Sequence, residues 1–186
     1  MKYNKILLDK IIKYGFETNH IDFKVEFNWY EFTDYKKAKV VKHIAAMSNI
    51  LGGGMLIFGV SDSRQIKGLS DYDISTLDRT KLDQTLAQYL DPVPAYNITK
   101  SIYENKQLLI LEVSEFGDVP IICKQEYIGV LKVGGIYIRK NASSTLIQDA
   151  LSMRYLLDLA IKKKKEDLVK SINDLLSSKL EDNWKL

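Results

Sequence analysis

The chain has 186 residues, 46% of them hydrophobic and 27% charged, with a formal net charge of +3, one cysteine, three prolines and ten glycines. That apolar share, with charges of both signs interspersed, excludes a disordered chain, and no apolar run reaches the roughly 20 residues a bilayer-spanning helix needs. The charge surplus is local: eight Lys/Arg and six Asp/Glu fall in residues 151–186, leaving 19 against 18 for residues 1–150, so net charge by itself does not diagnose a polyanion partner. Asp9, Lys10 and Lys13 interrupt the N-terminal stretch too early for an export signal. The single Cys123 offers neither an internal disulfide nor a zinc set. Both features predict a cytoplasmic protein with no membrane partner and a packed core thiol.

In chain order, Ile6, Leu7, Ile11 and Tyr14 recur at near-helical spacing and predict a short helix from Lys5 to Gly15. Ile21 to Phe27 alternates strictly, which predicts a strand with Ile21, Phe23, Val25 and Phe27 on one face and Asp22, Lys24 and Glu26 on the other. From Asp34 onward, Val40, Ile44, Met47 and Leu51 form the core-facing stripe of an amphipathic helix that ends at Gly52-Gly53-Gly54. Met55 to Val60 is apolar throughout, as in a strand covered on both faces, and exits into the polar turn Ser61-Asp62-Ser63-Arg64. Leu77, Leu82, Leu86 and Leu90 mark a second helix between Ser75 and the Asp91-Pro92-Val93-Pro94 breaker. Further strands are predicted at Ala95 to Tyr103, Gln107 to Val113, Val119 to Cys123 and Gly135 to Lys140, with Glu104-Asn105 as a hairpin turn. Ser144 to about Leu180 reads as helix with an apolar stripe of Leu151, Tyr155, Leu159, Leu168, Ile172 and Leu175. This order gives an α/β or α+β domain around a mixed sheet flanked by helices.

Chemistry concentrates on the polar face of the first strand. Asp22, Lys24 and Glu26 project together, Glu17 lies just upstream, and Asp62 sits where the buried strand exits. Carboxylates grouped in this way suit a divalent cation, and a lysine beside them suits a phosphate. The same pattern also fits an exposed strand face whose charges pair with neighbouring strands. His20 and His43 are candidates for a base or a ligand, with packing as the alternative. Arg64, Lys67, Arg139 and Lys140 fall in loops or at strand ends, placed for phosphate contact or for plain solvation. Lys162 to Lys165 are consecutive and wrap their helix, as a nucleic-acid contact or as a solvated face. Tyr14, Trp29, Tyr30 and Tyr35 suit stacking on unpaired bases, and equally a core or interface role. The triple glycine is not followed by the lysine of a phosphate-binding loop.

Four segments together resemble one family. They are Gly15-Phe16-Glu17-Thr18-Asn19-His20-Ile21-Asp22-Phe23-Lys24, the helix–glycine–strand block Ala46 to Asp62, Ile66-Lys67-Gly68, and Gly135-Ile136-Tyr137-Ile138-Arg139. Over roughly residues 15–145 this is similar to the Schlafen-type AlbA-like (AlbA_2) domain. The resemblance implies that fold over residues 1–145, with a C-terminal helical extension over 146–186, and a homodimer. In ribonuclease members of the family, the carboxylates matching Glu17, Asp22 and Asp62 form a catalytic metal site. It thus implies Mg²⁺ or Mn²⁺ held by Glu17, Asp22 and Asp62, with Lys24 on the phosphate and Arg64, Lys67, Arg139 and Lys140 orienting nucleic acid. The function so implied is a metal-dependent endoribonuclease acting on structured RNA such as tRNA. The alternative is a non-catalytic DNA- or RNA-binding regulatory module, or a phage-defence component. Asp22 stands where the family usually has glutamate, Ser61 where many members have a further acid, and one glycine is extra before the buried strand.

Overall fold

A computed structural model of the chain describes residues 8–14 and 18–183. Of the predicted N-terminal helix, Lys10–Tyr14 is a π-helical turn, and Ile6, Leu7 and Gly15 lie outside the described residues. The first strand, β1 (Ile21–Lys24), runs parallel to β2 (Gly54–Phe58), with Asp22 opposite Leu56 and Phe23 opposite Ile57. Between them lies α1 (Asp34–Ser48), started by Thr33, whose side chain accepts from the Lys36 amide, with Asp34 near the positive end of the helix dipole. β2 pairs antiparallel with β5 (Lys106–Val113), and β5 with β4 (Tyr96–Tyr103), so the sheet order is β1-β2-β5-β4. The β4–β5 turn is Glu104-Asn105, both at positive φ, the two-residue geometry that matches strand twist.

Each sheet face has its own core. Phe23, Ile57, Leu108 and Ile110 pack with Leu8, Ile11 and Ile12 on one side. Leu56, Phe58, Leu109, Leu111 and Val113 pack on the other with α1 residues Val41, Ile44 and Met47 and with Leu82 and Leu86 of α3 (Arg79–Tyr89). A capped five-residue helix, α2 (Asp71–Ser75), precedes α3. Two small antiparallel pairs complete the layer over α1: β3 (Leu90–Asp91) with β6 (Ile122–Cys123), and β7 (Tyr137–Lys140) with β8 (Ser143–Leu146). Helix α4 (Ala150–Asn183) ends the described chain. Its Leu156 and Leu159 are buried, and Tyr155 Oη accepts from the Leu51 amide. Among the described residues no helix is long and apolar enough to cross a membrane.

Several expectations are corrected here. The alternating strand stops at Lys24 because the amides of Gly59 and Val60 both donate to the Lys24 carbonyl and end the ladder. Phe27 then turns into the α1-side core, 5.1 Å edge-on from Phe58, while Phe23 stays in the opposite core, so the two lose their common face. Asp22 is not on a solvated face, because a parallel strand beside a crossover helix is covered on both sides. Leu51 follows the end of α1 and is exposed. Val119 to Ile121 lie outside strand structure, and Ser144 belongs to β8 instead of the last helix. Of the apolar stripe on α4, Leu159 is buried, whereas Leu151, Tyr155, Leu168, Ile172 and Leu175 are exposed.

The three glycines after α1 are not equivalent. Gly52 (φ +80) faces open space, whereas a Cβ on Gly53 (φ +67) would stand 2.1 Å from the Val113 carbonyl oxygen. Gly52→Ala is expected to cost about 1 kcal/mol, the ordinary left-handed penalty. Gly53→Ala should cost at least about 3 kcal/mol, because backbone must also shift. Urea unfolding of both variants measures the difference, and equal costs would remove the β5 carbonyl as the constraint.

Candidate functional site

The α1-side face of β1 holds a buried polar cluster. Asp22 is 3% exposed and Arg139, from β7, is 2% exposed. The Arg139 guanidinium donates through Nη2 to Asp22 Oδ1 at 3.3 Å and to the Thr18 carbonyl at 3.2 Å, and through Nη1 to Ser144 Oγ at 3.3 Å. Lys24 Nζ is 2.6 Å from Asp22 Oδ2 but is directed at the Phe23 carbonyl, 3.1 Å away. Oδ2 is therefore ion-paired by distance yet accepts no well-aligned hydrogen bond among the described residues, and Arg139 Nε likewise has no acceptor there.

His43 projects into this cluster from α1. Its Nδ1 is 2.9 Å from Ser144 Oγ, 3.4 Å from Arg139 Nη1 and 3.7 Å from Asp22 Oδ2. A guanidinium only donates, so the network assigns Nδ1 as the acceptor and the ring proton to Nε2. Burial pushes the His43 imidazole down to about 4, opposed by Asp22 and reinforced by Lys24, Arg139 and Lys42. Lys42, on the same helix, is itself lowered by burial and by neighbouring Lys39.

Above the cluster, the start of α1, β1 and the turn after β2 enclose a cleft of about 400 Å³. Lys24, Lys36, Lys39, His43 and Asp62 all line it. Lys36 pairs with Glu26 at 2.5 Å, and Lys39 lies 4.5 Å from the Tyr35 ring centroid. Asp62 is thus brought to the cleft that Lys24 enters, while Glu17 lies outside the described residues. Among the described residues no group of three His, Cys, Asp or Glu side chains is placed to hold a metal ion. The carboxylates present, one already neutralised by a buried guanidinium, do not by themselves fit Mg²⁺ or Mn²⁺, which demand several hard oxygen ligands.

The other nominated residues separate by exposure. Arg139 cannot meet a phosphate, because its side chain is fully enclosed by Asp22, Thr18 and Ser144. Lys140 is exposed beside Asp149 at 3.5 Å, Lys67 reaches Gln65, and Arg64 donates to the Lys13 carbonyl. His20 donates through Nδ1–H to the Gly53 carbonyl, 2.7 Å away, holding the glycine turn. Trp29 is core at 3% exposure, whereas Tyr30 and Tyr35 are exposed at 55% and 45%. Sequence reasoning missed Lys36, Lys39 and Ser144. Lys36 and Lys39 were legible as the polar side of α1, but nothing in the spacing of Ser144 pointed to β8.

Residues 17–148 match the family described as Schlafen, AlbA_2. The chain belongs to that family. Membership associates this Schlafen AlbA_2 domain with nucleic acid; α4, which starts at Ala150, lies beyond the match. Among solved structures, the DIP2311 protein from Corynebacterium diphtheriae is 21% identical with a TM-score of 0.51, over 74% of this chain. This chain spans only 24% of that protein's length, and the likeness concerns fold. The N-terminal domain of a RecG-related protein from Nitrosomonas europaea is 22% identical with a TM-score of 0.48, over 78% of this chain and 92% of that one. Among curated proteins none matches.

The His43 shift sets a pH dependence. Its folded value of about 4 lies below the ordinary 6.5, so between those limits the unfolded chain binds a proton that the folded chain does not. Stability should therefore fall as pH drops from about 6.5 to about 4, by up to about 3 kcal/mol, and the His43 contribution should level off below that. His43→Gln should flatten this window in chemical unfolding, and an unchanged slope in the variant would assign it to other groups.

Proposed function

We propose that this Schlafen AlbA_2 domain binds nucleic acid, with backbone phosphate held in the cleft between β1, α1 and the turn after β2. The observation that supports this is the convergence of Lys24, Lys36 and Lys39 on one cleft, with Nε2–H of neutral His43 as a further donor on its wall. Lysines there act as point charges toward phosphate, so affinity is carried by counterion release and falls with salt. Cys123 is buried and single, in keeping with a cytoplasmic setting.

A second reading, the metal-dependent endoribonuclease acting on structured RNA such as tRNA, is favoured by one specific observation. Asp22 Oδ2 is a buried carboxylate oxygen without a directed hydrogen bond among the described residues, beside Lys24, whose cleft Asp62 also lines. Glu17 would have to complete that donor set. One experiment addresses both readings: full-length protein titrated with labelled tRNA, single-stranded RNA and DNA, and duplex DNA, with Mg²⁺, Mn²⁺ or EDTA. Lys36→Glu with Lys39→Glu should weaken binding at least tenfold and lower the salt slope by about 2. Binding independent of salt and of both lysines would overturn the cleft assignment. Metal-stimulated cutting that is lost in Glu17→Gln, Asp22→Asn and Asp62→Asn would establish the nuclease. Binding without cutting leaves the binding module.

The proposal extends to a homodimer formed through α4. Ile161, Leu168, Ile172 and Leu176 are exposed at successive spacings of seven, four and four residues, which places them on one stripe. Glu166, Asp167 and Asp174 follow Lys162 to Lys165, so antiparallel pairing with a second copy sets opposite charges side by side. Light scattering should give twice the chain mass for the wild type and the single mass for Leu168→Lys; a wild-type monomer rejects the dimer.

A further inference from the structure

We propose that a second cleft, on the far side of the start of α1, takes an unpaired nucleobase, which makes single-stranded nucleic acid the preferred ligand. This rests on the phosphate cleft proposed above and adds a separate site to it. The second cleft has a volume of about 440 Å³ and lies between the turn at Tyr30 and helix α3. Tyr30, Lys37, Lys81, Gln84 and Gln88 line it over a floor formed by Trp29.

The arrangement has the parts that base recognition needs. Tyr30 presents an exposed ring, and Lys81 Nζ stands 4.5 Å from its centroid. An aromatic face open to solvent gives sequence-tolerant stacking, and a flexible lysine beside it can release the ring for a base and turn to the adjoining phosphate. Lys81, Gln84 and Gln88 are three, four and seven residues apart, so they share the solvent face of α3 opposite buried Leu82, Leu86 and Tyr89. Two amides there supply both donors and acceptors, which suits the edge of a splayed base. A base inside a duplex is stacked and cannot reach Tyr30 without being taken out of the stack.

The turn that carries Tyr30 is also fixed before any ligand arrives. Asn28 is buried, donates to Asp73 Oδ1 at 3.0 Å and accepts from the Glu31 amide at 3.1 Å. The Trp29 amide donates to Thr76 Oγ1 at 2.9 Å, and the Phe32 amide to the Asn28 carbonyl at 2.9 Å. These bonds fix the turn on both sides of Tyr30, so little ordering entropy is lost on binding. Continuity with the phosphate cleft comes from α1: adjacent Lys36 and Lys37 line one cleft each.

The test is fluorescence anisotropy of the full chain with single-stranded RNA and DNA of about 12 nucleotides, a length within the usual footprint of such sites, and with duplexes of the same length. The wild type should prefer the single strands. Tyr30→Ala should lose about tenfold for single strands, the scale of one lost stacking contact, and leave duplex affinity unchanged. Tyr30→Phe should bind as the wild type does, and a thermal melt checks that Tyr30→Ala is folded. Single-strand affinity untouched in Tyr30→Ala, or lost equally for duplex, overturns the base site while the Lys36 and Lys39 result still stands or falls by itself. Tighter binding of the RNA or of the DNA strand tells which source of the unpaired base is favoured, and loss in Tyr30→Ala on that strand supports the site. No binding of any nucleic acid by the wild type removes both this inference and the phosphate cleft.

Discussion

The pairing of Asp22 with Arg139 joins the two parts of the domain. β1 is the edge of the four-stranded sheet and β7 belongs to a separate hairpin packed on α1; the ion pair ties the two together, alongside the Ala142 amide, which donates to Asn19 Oδ1. Both charges are removed from water at a cost of several kcal/mol each, offset only where the remaining donors and acceptors are met. Thr18, Ser144, Lys24 and His43 supply most of those partners, and that demand fixes the orientation of each. Asn49, at the end of α1, makes a second tie: its buried amide donates to the carbonyls of Ile121 and Tyr137 and accepts from the Ile121 amide. Between them, an ion pair and one asparagine set where β6 and β7 lie relative to α1.

This arrangement separates structural charge from functional charge. Asp22, one of the three acids the motif marks, is enclosed, and the arginine of the last motif block is enclosed with it. Among the cations that remain accessible for a polyanion are those of the outer face of α1 and of α3, and several lie over aromatic rings: Lys36 near Phe32, Lys37 near Trp29, Lys39 near Tyr35 and Lys81 near Tyr30. The core rings of Phe32 and Trp29 and the exposed rings of Tyr35 and Tyr30 thus hold lysines beside them, which restricts long flexible side chains to a common surface. The near-balance of charge over residues 1–150 conceals this, because a total does not register that four lysines fall within seven residues of one helix.

Legibility followed the range of the interaction. Apolar spacing showed α1, β2, α3 and the β4–β5 hairpin, because in each the deciding contacts repeat every two or every 3.6 residues. The β7–β8 hairpin was missed because its turn, Asn141-Ala142, places an alanine at φ +59, which is not a turn signal. The continuation of β1 to Phe27 was misread because alternation cannot tell one core from another: Phe23 and Phe27 are both buried, on opposite sides of the sheet.

By itself the sequence determined the family, the mixed sheet with its helices, and the core placement of Cys123. These are local patterns, written in side-chain type and spacing. Only the tertiary structure decided that Asp22 and Arg139, 117 positions apart in the chain, meet inside the protein, that Asp62 and Lys24 share a cleft, and that Tyr30 and α3 form another. Partners so distant in sequence leave no periodic trace. Whether a charge is exposed or enclosed depends on which strand, helix and hairpin close over it.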